Sequence, residues 1–235
     1  MTLFLNRVLG LLFKSNRIVK GVLARVPGTT LRNLLGRDYL SPVQLFALDG
    51  YNDRLFKGLP LNSGSTVIVL GGYLGDSVAK YREIYDSTVY ATEPILEYFS
   101  IMQKRFYDDR KVFIANEATA GKTSEIELFI SGEKTGFFEI TGESRLVKCR
   151  DIIELINQTK CFIDHLEINI EGGEYLVLQR LIDSTYISQC NSILVQFHNY
   201  GLQQEFDRAH LRLKLSKTHK MVYCYEWVWE YWTKI

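Results

Sequence analysis

Residues 66–75 read TVIVLGGYLG, five consecutive apolar or β-branched residues and then three glycines within five positions. A run without a polar face belongs in the middle of a sheet covered on both sides. The glycines permit a sharp turn and a close backbone approach directly after it. The same alternation continues downstream. Residues 75–85 carry a helical pattern, 88–92 a second apolar strand, 95–106 a helix and 112–115 a third strand. Strands separated by helices pair in parallel. At 125–130, EIELFI alternates with period two and a Gly/Lys/Thr stretch follows, which reads as an antiparallel excursion. A helix at 151–157, a strand at 162–170, a helix at 174–182, a strand at 192–197 and a helix at 204–215 resume the pattern. The aromatic close, 221–235, fits an antiparallel edge. The expected fold class is therefore α/β, a Rossmann-like, doubly wound, mostly parallel sheet with an antiparallel edge, preceded by an N-terminal helical segment. The expected domains are an amphipathic helical segment at 1–59 and the α/β domain at 60–235.

With 46% hydrophobic residues the 235-residue chain can bury a sizeable core, and a net charge of +1 gives no general pull toward nucleic acid. Cys149, Cys161, Cys190 and Cys224 form no CxxC pair, and His165, His198, His210 and His219 show no metal-ligand spacing. This favours buried thiols in a reducing, cytoplasmic compartment, and no metal site is expected. Residues 1–40 hold seven basic side chains (Arg7, Lys14, Arg17, Lys20, Arg25, Arg32, Arg37) against Asp38 alone. Within them, 3–26 reads as a helix with one polar stripe. Such a helix can lie on the anionic inner face of a membrane; the alternative is packing on its own domain or on a second copy in a homo-oligomer. The apolar start lacks a preceding basic region and a small-residue cleavage site, so it reads as retained.

Open α/β sheets bind ligands beyond the carboxyl ends of their strands. A glycine turn opening a helix offers backbone N–H groups there. Glu93 follows Gly75 by eighteen positions, at the end of the next strand in TVYATEP, where its carboxylate can accept from both ribose hydroxyls of an adenosine. A dinucleotide site requires GxGxxG, its second glycine admitting the pyrophosphate. Here Tyr73 occupies that place in GGYLG, which disfavours an NAD-dependent oxidoreductase. It suits a smaller ligand with an amino-acid tail, such as S-adenosyl-L-methionine. The alternative is a glycine turn that only lets helix and strand pack.

IVLGGYLGDS, VYATEP, VFIANEATAG followed by SEIELFIS, VKCRDIIELI, HLEINIEGGEYLVLQRL and SILVQFHNYG occur in the order seen in the FkbM family of S-adenosylmethionine-dependent methyltransferases. The chain resembles that family over about residues 60–225, most specifically in I-x-I-E-G-G-E, 168–174. The resemblance implies a class I methyltransferase fold and methyl transfer to oxygen, often to a sugar hydroxyl on a glycan or glycosylated product. It places Gly71, Gly72, Tyr73 and Gly75 around the methionine part of the cofactor, and Asp76 and Ser77 at its carboxylate. Glu93 would hold the ribose, and Asn116 and Glu117 would border the adenine. Asn169 and Glu171 would stand beside the methyl group, with His198 facing the acceptor, a small molecule or glycan.

Four positions depart from the pattern. Val69 replaces an acid, Glu167 a lysine, Asn169 an aspartate and Gln196 a glutamate. A hydrogen bond to a charged amine contributes roughly 1.5–3 kcal/mol, so the loss at Val69 is expected to weaken cofactor binding by about one to two powers of ten. A positioned base contributes roughly 10²–10⁴-fold, whereas positioning supplies roughly 7–11 kcal/mol; turnover can survive at Asn169, with Glu171 or His198 taking the proton. Two readings stand, an active O-methyltransferase and a degenerate relative serving as partner or scaffold. His165, inside an apolar strand, reads as structural. The basic residues Arg208, Arg212, Lys214, Lys217 and Lys220 read as a solvated helix face. The odd positions from Tyr223 to Tyr231 share one face of a single strand, available to the core, a subunit seam or a sugar ring.

Overall fold

A computed structural model describes residues 40–131, 134–136, 143–159 and 162–235, in two units, 1–57 and 58–235. The basic helix expected at 3–26 and Cys161 lie outside the described residues. So does most of 131–141, the Gly/Lys/Thr stretch after EIELFI. In the first unit, α1 (Pro42–Leu48) and α2 (Tyr51–Phe56) follow each other closely. Ser41 and Gln44 close a reciprocal capping box around Pro42, which suits the first helical turn. The ring of Phe46 lies 4.8 Å from that of Tyr51.

The second unit holds β1 (Thr66–Leu70), α3 (Asp76–Tyr85), β2 (Thr88–Thr92), α4 (Leu96–Arg105) and β3 (Val112–Ala115). Then come β4 (Ala118–Ala120), β5 (Ser124–Ser131), β6 (Lys134–Gly136) and β7 (Glu143–Asp151). The chain continues through α5 (Ile152–Thr159), β8 (His165–Ile168), α6 (Glu174–Asp183), β9 (Ser192–Val195), α7 (Leu202–Leu215), β10 (His219–Tyr225) and β11 (Trp229–Lys234). One seven-stranded sheet runs β10-β11-β9-β8-β1-β2-β3, parallel from β9 to β3 and antiparallel through β11 and β10. Strand order reverses between β1 and β8, so the crevice at their carboxyl ends is where such a sheet takes a ligand. The antiparallel excursion is a second sheet, β4-β7-β5-β6.

Burial follows the sequence pattern. Every residue of β1, β8 and β9 is buried, whereas the edge strand β3 has Phe113 exposed. Val177, Leu178 and Leu181 of α6, three and four residues apart, join Ile68, Leu70, Ile168 and Ile193 in the main core. No helix among the described residues is long and apolar enough to cross a membrane.

The structure corrects two expectations. The aromatic close is a hairpin, not one strand: Trp227, at φ 58°, sits in the turn and interrupts the two-residue alternation. Tyr223, Tyr225 and Tyr231 still meet, with ring centroids 5.4–5.6 Å apart, but Tyr225, Trp229, Tyr231 and Trp232 are buried, which assigns most of the cluster to packing. Arg208 is likewise no part of a solvated face. It is buried, its guanidinium 2.6 Å from Glu230 and stacked 4.5 Å from the Trp227 ring centroid.

Candidate active site

At the carboxyl ends of β1, β2 and β8 lies a cavity of about 250 Å³. Gly71 and Tyr73 come from the turn after β1, Thr92, Glu93, Pro94 and Tyr98 from the β2–α4 region, and Asn169, Ile170 and Glu171 from the loop after β8. Ala118, Thr119 and Leu128, on the second sheet, close the remaining side. Thr92, Thr119, Tyr98 and Leu128 are site residues that the sequence motifs do not single out. Thr92 carries a usable signal, being the last residue of an apolar strand, but Leu128 reaches the cavity through a non-local strand pairing that no local pattern encodes.

The glycine turn works differently from expectation. Four of its N–H groups are already taken: Gly71 and Gly72 both donate to the Thr92 carbonyl, Gly75 to that of Gly72, and Tyr73 to Glu93 Oε2 at 2.8 Å. Gly72 and Gly75 face α4 and its C-terminal cap, since a Cβ on them would stand 2.5 Å from Met102 Cε and 2.6 Å from Phe106 Cε2. Packing of helix on turn, the alternative held open in the sequence, explains these two. Gly71 alone of the three borders the cavity.

Asp76, Ser77, Asn116 and Glu117 do not line the cavity. Asp76 pairs with Arg105 at 2.6 Å on the surface, and Ser77 donates to Glu167 Oε1 at 2.7 Å beneath the turn. Asn116 donates to the carbonyls of Glu93 and Pro94, which fixes that bend, and Glu117 meets Arg150 at 2.8 Å. Val69 is fully buried and in register with Glu167 and Ala91. His165 is enclosed, its Nε2 2.9 Å from Tyr81 Oη and its Nδ1 2.8 Å from Ser192 Oγ.

Glu93, Asn169 and Glu171 do converge on the cavity. Glu93 is 5% exposed and turned inward; its Oε1 accepts the Ile95 N–H at 2.9 Å. Burial pushes its carboxyl above the usual range, against the pull of the two backbone donors. Asn169 Oδ1 is buried with no hydrogen-bond partner. Tyr73 and Glu171 hold left-handed backbones, φ 49° and 48°, an arrangement that costs each of order 1–3 kcal/mol. His198 lies behind Glu171, its Nε2 3.2 Å from Glu171 Oε1 and its Nδ1 3.2 Å from Glu174 Oε1. Among the described residues, the lining is thus rich in acceptors and carries two carboxyl groups but no Lys, Arg or His.

Strand order, the antiparallel insertion of β11 and the crevice position specify one architecture among doubly wound sheets. The fold is that of the class I methyltransferases. A protein of Streptococcus mutans, described as a methyltransferase and crystallised in complex with S-adenosylhomocysteine, superposes with a TM-score of 0.51 at 9% identity, covering 83% of this chain and 99% of that one. Aeropyrum pernix fibrillarin with natively bound S-adenosyl-L-methionine gives 0.49 at 12% identity over 83% and 75% of the two chains. An rRNA methylase of Streptococcus thermophilus gives 0.49 at 10% identity over 83% and 98%. Identity at this level speaks to architecture alone. No protein-family model matches the chain, and no curated protein does.

Proposed function

We propose that the protein is an S-adenosyl-L-methionine-dependent O-methyltransferase acting on a hydroxyl, of a sugar, a glycan or a glycosylated product. One observation carries the cofactor: a cavity at the switch point whose polar groups are acceptors and carboxylates, with no cation among the described residues that line it. An anionic pyrophosphate finds no cation there, and the N–H groups of Gly71, Gly72, Tyr73 and Gly75 are already taken, whereas a ligand with ribose hydroxyls, an ammonium and a sulfonium finds acceptors and carboxylates. Glu93 would hold the ribose. Asn169 Oδ1, otherwise unpaired, would accept from the amine, standing in for the acid absent at Val69. The S-adenosylhomocysteine bound to the Streptococcus mutans protein supports the same ligand.

When bound, the cofactor supplies an electrophilic methyl group. The chain's own part is to exclude water with Tyr73, Tyr98 and Leu128, to fix the ligand through Glu93 and Asn169, and to present an acceptor hydroxyl to Glu171. The choice of hydroxyl rests on the resemblance to FkbM proteins. Isothermal titration with S-adenosyl-L-methionine tests the cofactor: binding weakened about tenfold in Glu93→Gln and Asn169→Ala is expected, at roughly 1.4 kcal/mol per power of ten. No heat at millimolar ligand would leave the scaffold reading. Incubation of the wild type with glycosides and with RNA side by side, scored by methylated product, tests the acceptor class.

A further inference from the structure

We infer that His198 is a fixed imidazolium that aims Glu171 into the cavity, and that Glu171, not His198, receives the proton of the acceptor hydroxyl; this rests on the methyl-transfer reading above. Donors and acceptors around the ring decide its charge. Both ring nitrogens of His198 face carboxylate oxygens at 3.2 Å, Nδ1 toward Glu174 and Nε2 toward Glu171. A neutral imidazole owns one N–H and one lone pair, so one nitrogen would oppose its lone pair to a carboxylate. Only the doubly protonated ring sets positive charge, and no lone pair, against both carboxylates; Nδ1 is hydrogen-bonded to Glu174, and Nε2 stands close to Glu171 without a formed bond.

Glu174 makes that charge necessary. Its side chain is fully enclosed, and it accepts the N–H groups of Gly172, at 2.8 Å, and His198, at 2.7 Å. Among the described residues no Lys or Arg pairs with it, so the His198 ring is its counter-charge. Other groups around the ring add no competing cation. Tyr175 of α6 donates its hydroxyl to the His198 carbonyl, Tyr200 stacks with ring centroids 6.4 Å apart, and the Arg208 guanidinium of α7 is taken by Glu230. Burial alone would pull His198 down, but the two carboxylates outweigh it and raise the ring to about 9. At neutral pH it has no lone pair to receive a proton.

Glu171 has. It lines the cavity, its side chain 35% exposed, with one oxygen 3.2 Å from His198 Nε2. Its left-handed backbone is pinned by the grip of Glu174 on the next N–H. In the proposed transfer the acceptor's O–H bond breaks and the proton bonds to a Glu171 carboxylate oxygen. The electron pair stays on the acceptor oxygen for the new bond to the methyl carbon, whose bond to the sulfonium sulfur would break with its electrons left on sulfur, giving a neutral thioether. Glu174 and His198 are positioning residues; Glu171 touches the reacting atoms.

Titration of the histidine rings by NMR in the cofactor-free protein reads the charge directly, whether or not a methyl acceptor is in hand. His198 is expected to be doubly protonated at pH 7, and Glu171→Gln to lower its midpoint by about one unit or more. A singly protonated His198 at pH 7 would overturn the proposal. With an acceptor that turns over, Glu171→Gln is expected to lower kcat by about 10²–10⁴-fold with cofactor Kd nearly unchanged, and His198→Lys to retain more activity than His198→Gln. A rate that climbs with pH through the measured His198 midpoint would mark His198 as the base and refute the assignment. Since the ring titration needs no turnover, its failure is distinct from failure of the methyl-transfer reading.

Discussion

A methyl group placed on Gly71 would stand 2.0 Å from the carbonyl oxygen of Asn169. The turn after β1 and the loop after β8 therefore touch backbone to backbone, and the cavity opens where that contact ends. Gly71 also holds φ 83°. Neither obstacle can be relieved by rotating a side chain.

Gly71→Ala is accordingly expected to cost about 2–5 kcal/mol, roughly 1–2 from the left-handed backbone and 1–3 from overpacking. Urea denaturation of the variant against wild type measures it. A loss below about 0.5 kcal/mol, the scale of an ordinary surface change, would mean the two loops are not in contact.

Gly72→Ala meets a softer obstacle, the thioether end of buried Met102. Methionine adapts its rotamers, so the expected cost is about 1 kcal/mol, at the low end of overpacking. Ligand affinity should hold, because the added methyl faces α4 rather than the cavity. Combining it with Met102→Ala should destabilise less than the sum of the two single changes, since they share one volume. Paired denaturation curves and titration calorimetry check both statements.

The sheet was legible because its signals are local. TVIVL, HLEI and SILV are unbroken apolar runs, and burial on both faces leaves them no other place. The strand expected over 162–170 is shorter, reaching only His165–Ile168, with Ile163 making an isolated bridge to Cys190. Glu93 was legible as an acid at a strand end, and it does line the cavity. The glycines were legible as a turn but not in their use: which side of a turn a helix will press on is decided by Met102 and Phe106, far down the chain, through tertiary packing. The charge of His198 was hidden for the same reason, since Glu174 reaches it only when α6 and the end of β9 are assembled.

Val69 and Glu167 are register partners on β1 and β8, so an acid at one and a lysine at the other would face each other. Their joint departure removes one charge pair and leaves Glu167 buried. Its oxygens meet Ser77 Oγ at 2.7 Å and Tyr81 Oη at 2.6 Å, with His165 and Ser192 next in line. Tyr81 donates its hydroxyl to Glu167, His165 Nε2 can donate in turn to the Tyr81 oxygen, and Ser192 donates to the Asp164 carbonyl at 2.8 Å.

Burial raises the Glu167 carboxyl, opposed by its bonds from Tyr81 and Ser77. A raised acid stabilises the fold fully below its unfolded value and loses that contribution as pH rises through the native one. Glu167→Gln keeps the bonds and removes the titration. The variant is therefore expected to gain stability relative to wild type as pH rises above about 4.5, the unfolded carboxyl range. Burial lowers His165 to about 3. The unfolded chain thus binds that proton first, and stability falls as pH drops from about 6.5, with a limiting slope of about 1.4 kcal/mol per unit. In wild type the two slopes oppose each other; in Glu167→Gln the rise from about pH 4.5 to 6.5 should stand uncovered. Denaturation at several pH values across that window decides it, and parallel curves would place an ionised Glu167 in the core.

Arg208 and Glu230 join α7 to β11 through a buried pair at 2.6 Å, and Trp232 Nε1 donates to the second Glu230 oxygen at 3.1 Å. Removing Arg208 leaves the buried Glu230 with only the longer contact to Arg212, at 3.7 Å, as counter-charge, and breaking a buried pair typically costs about 3–5 kcal/mol. Arg208→Met alone is expected to lose that much. Arg208→Met with Glu230→Gln keeps an acceptor for Trp232 and leaves no charge behind, so it should recover most of the loss. The comparison of single and double variants by thermal denaturation separates charge from packing: if the double variant is no better than the single one, the guanidinium serves by its stacking on Trp227 and not by its pairing with Glu230.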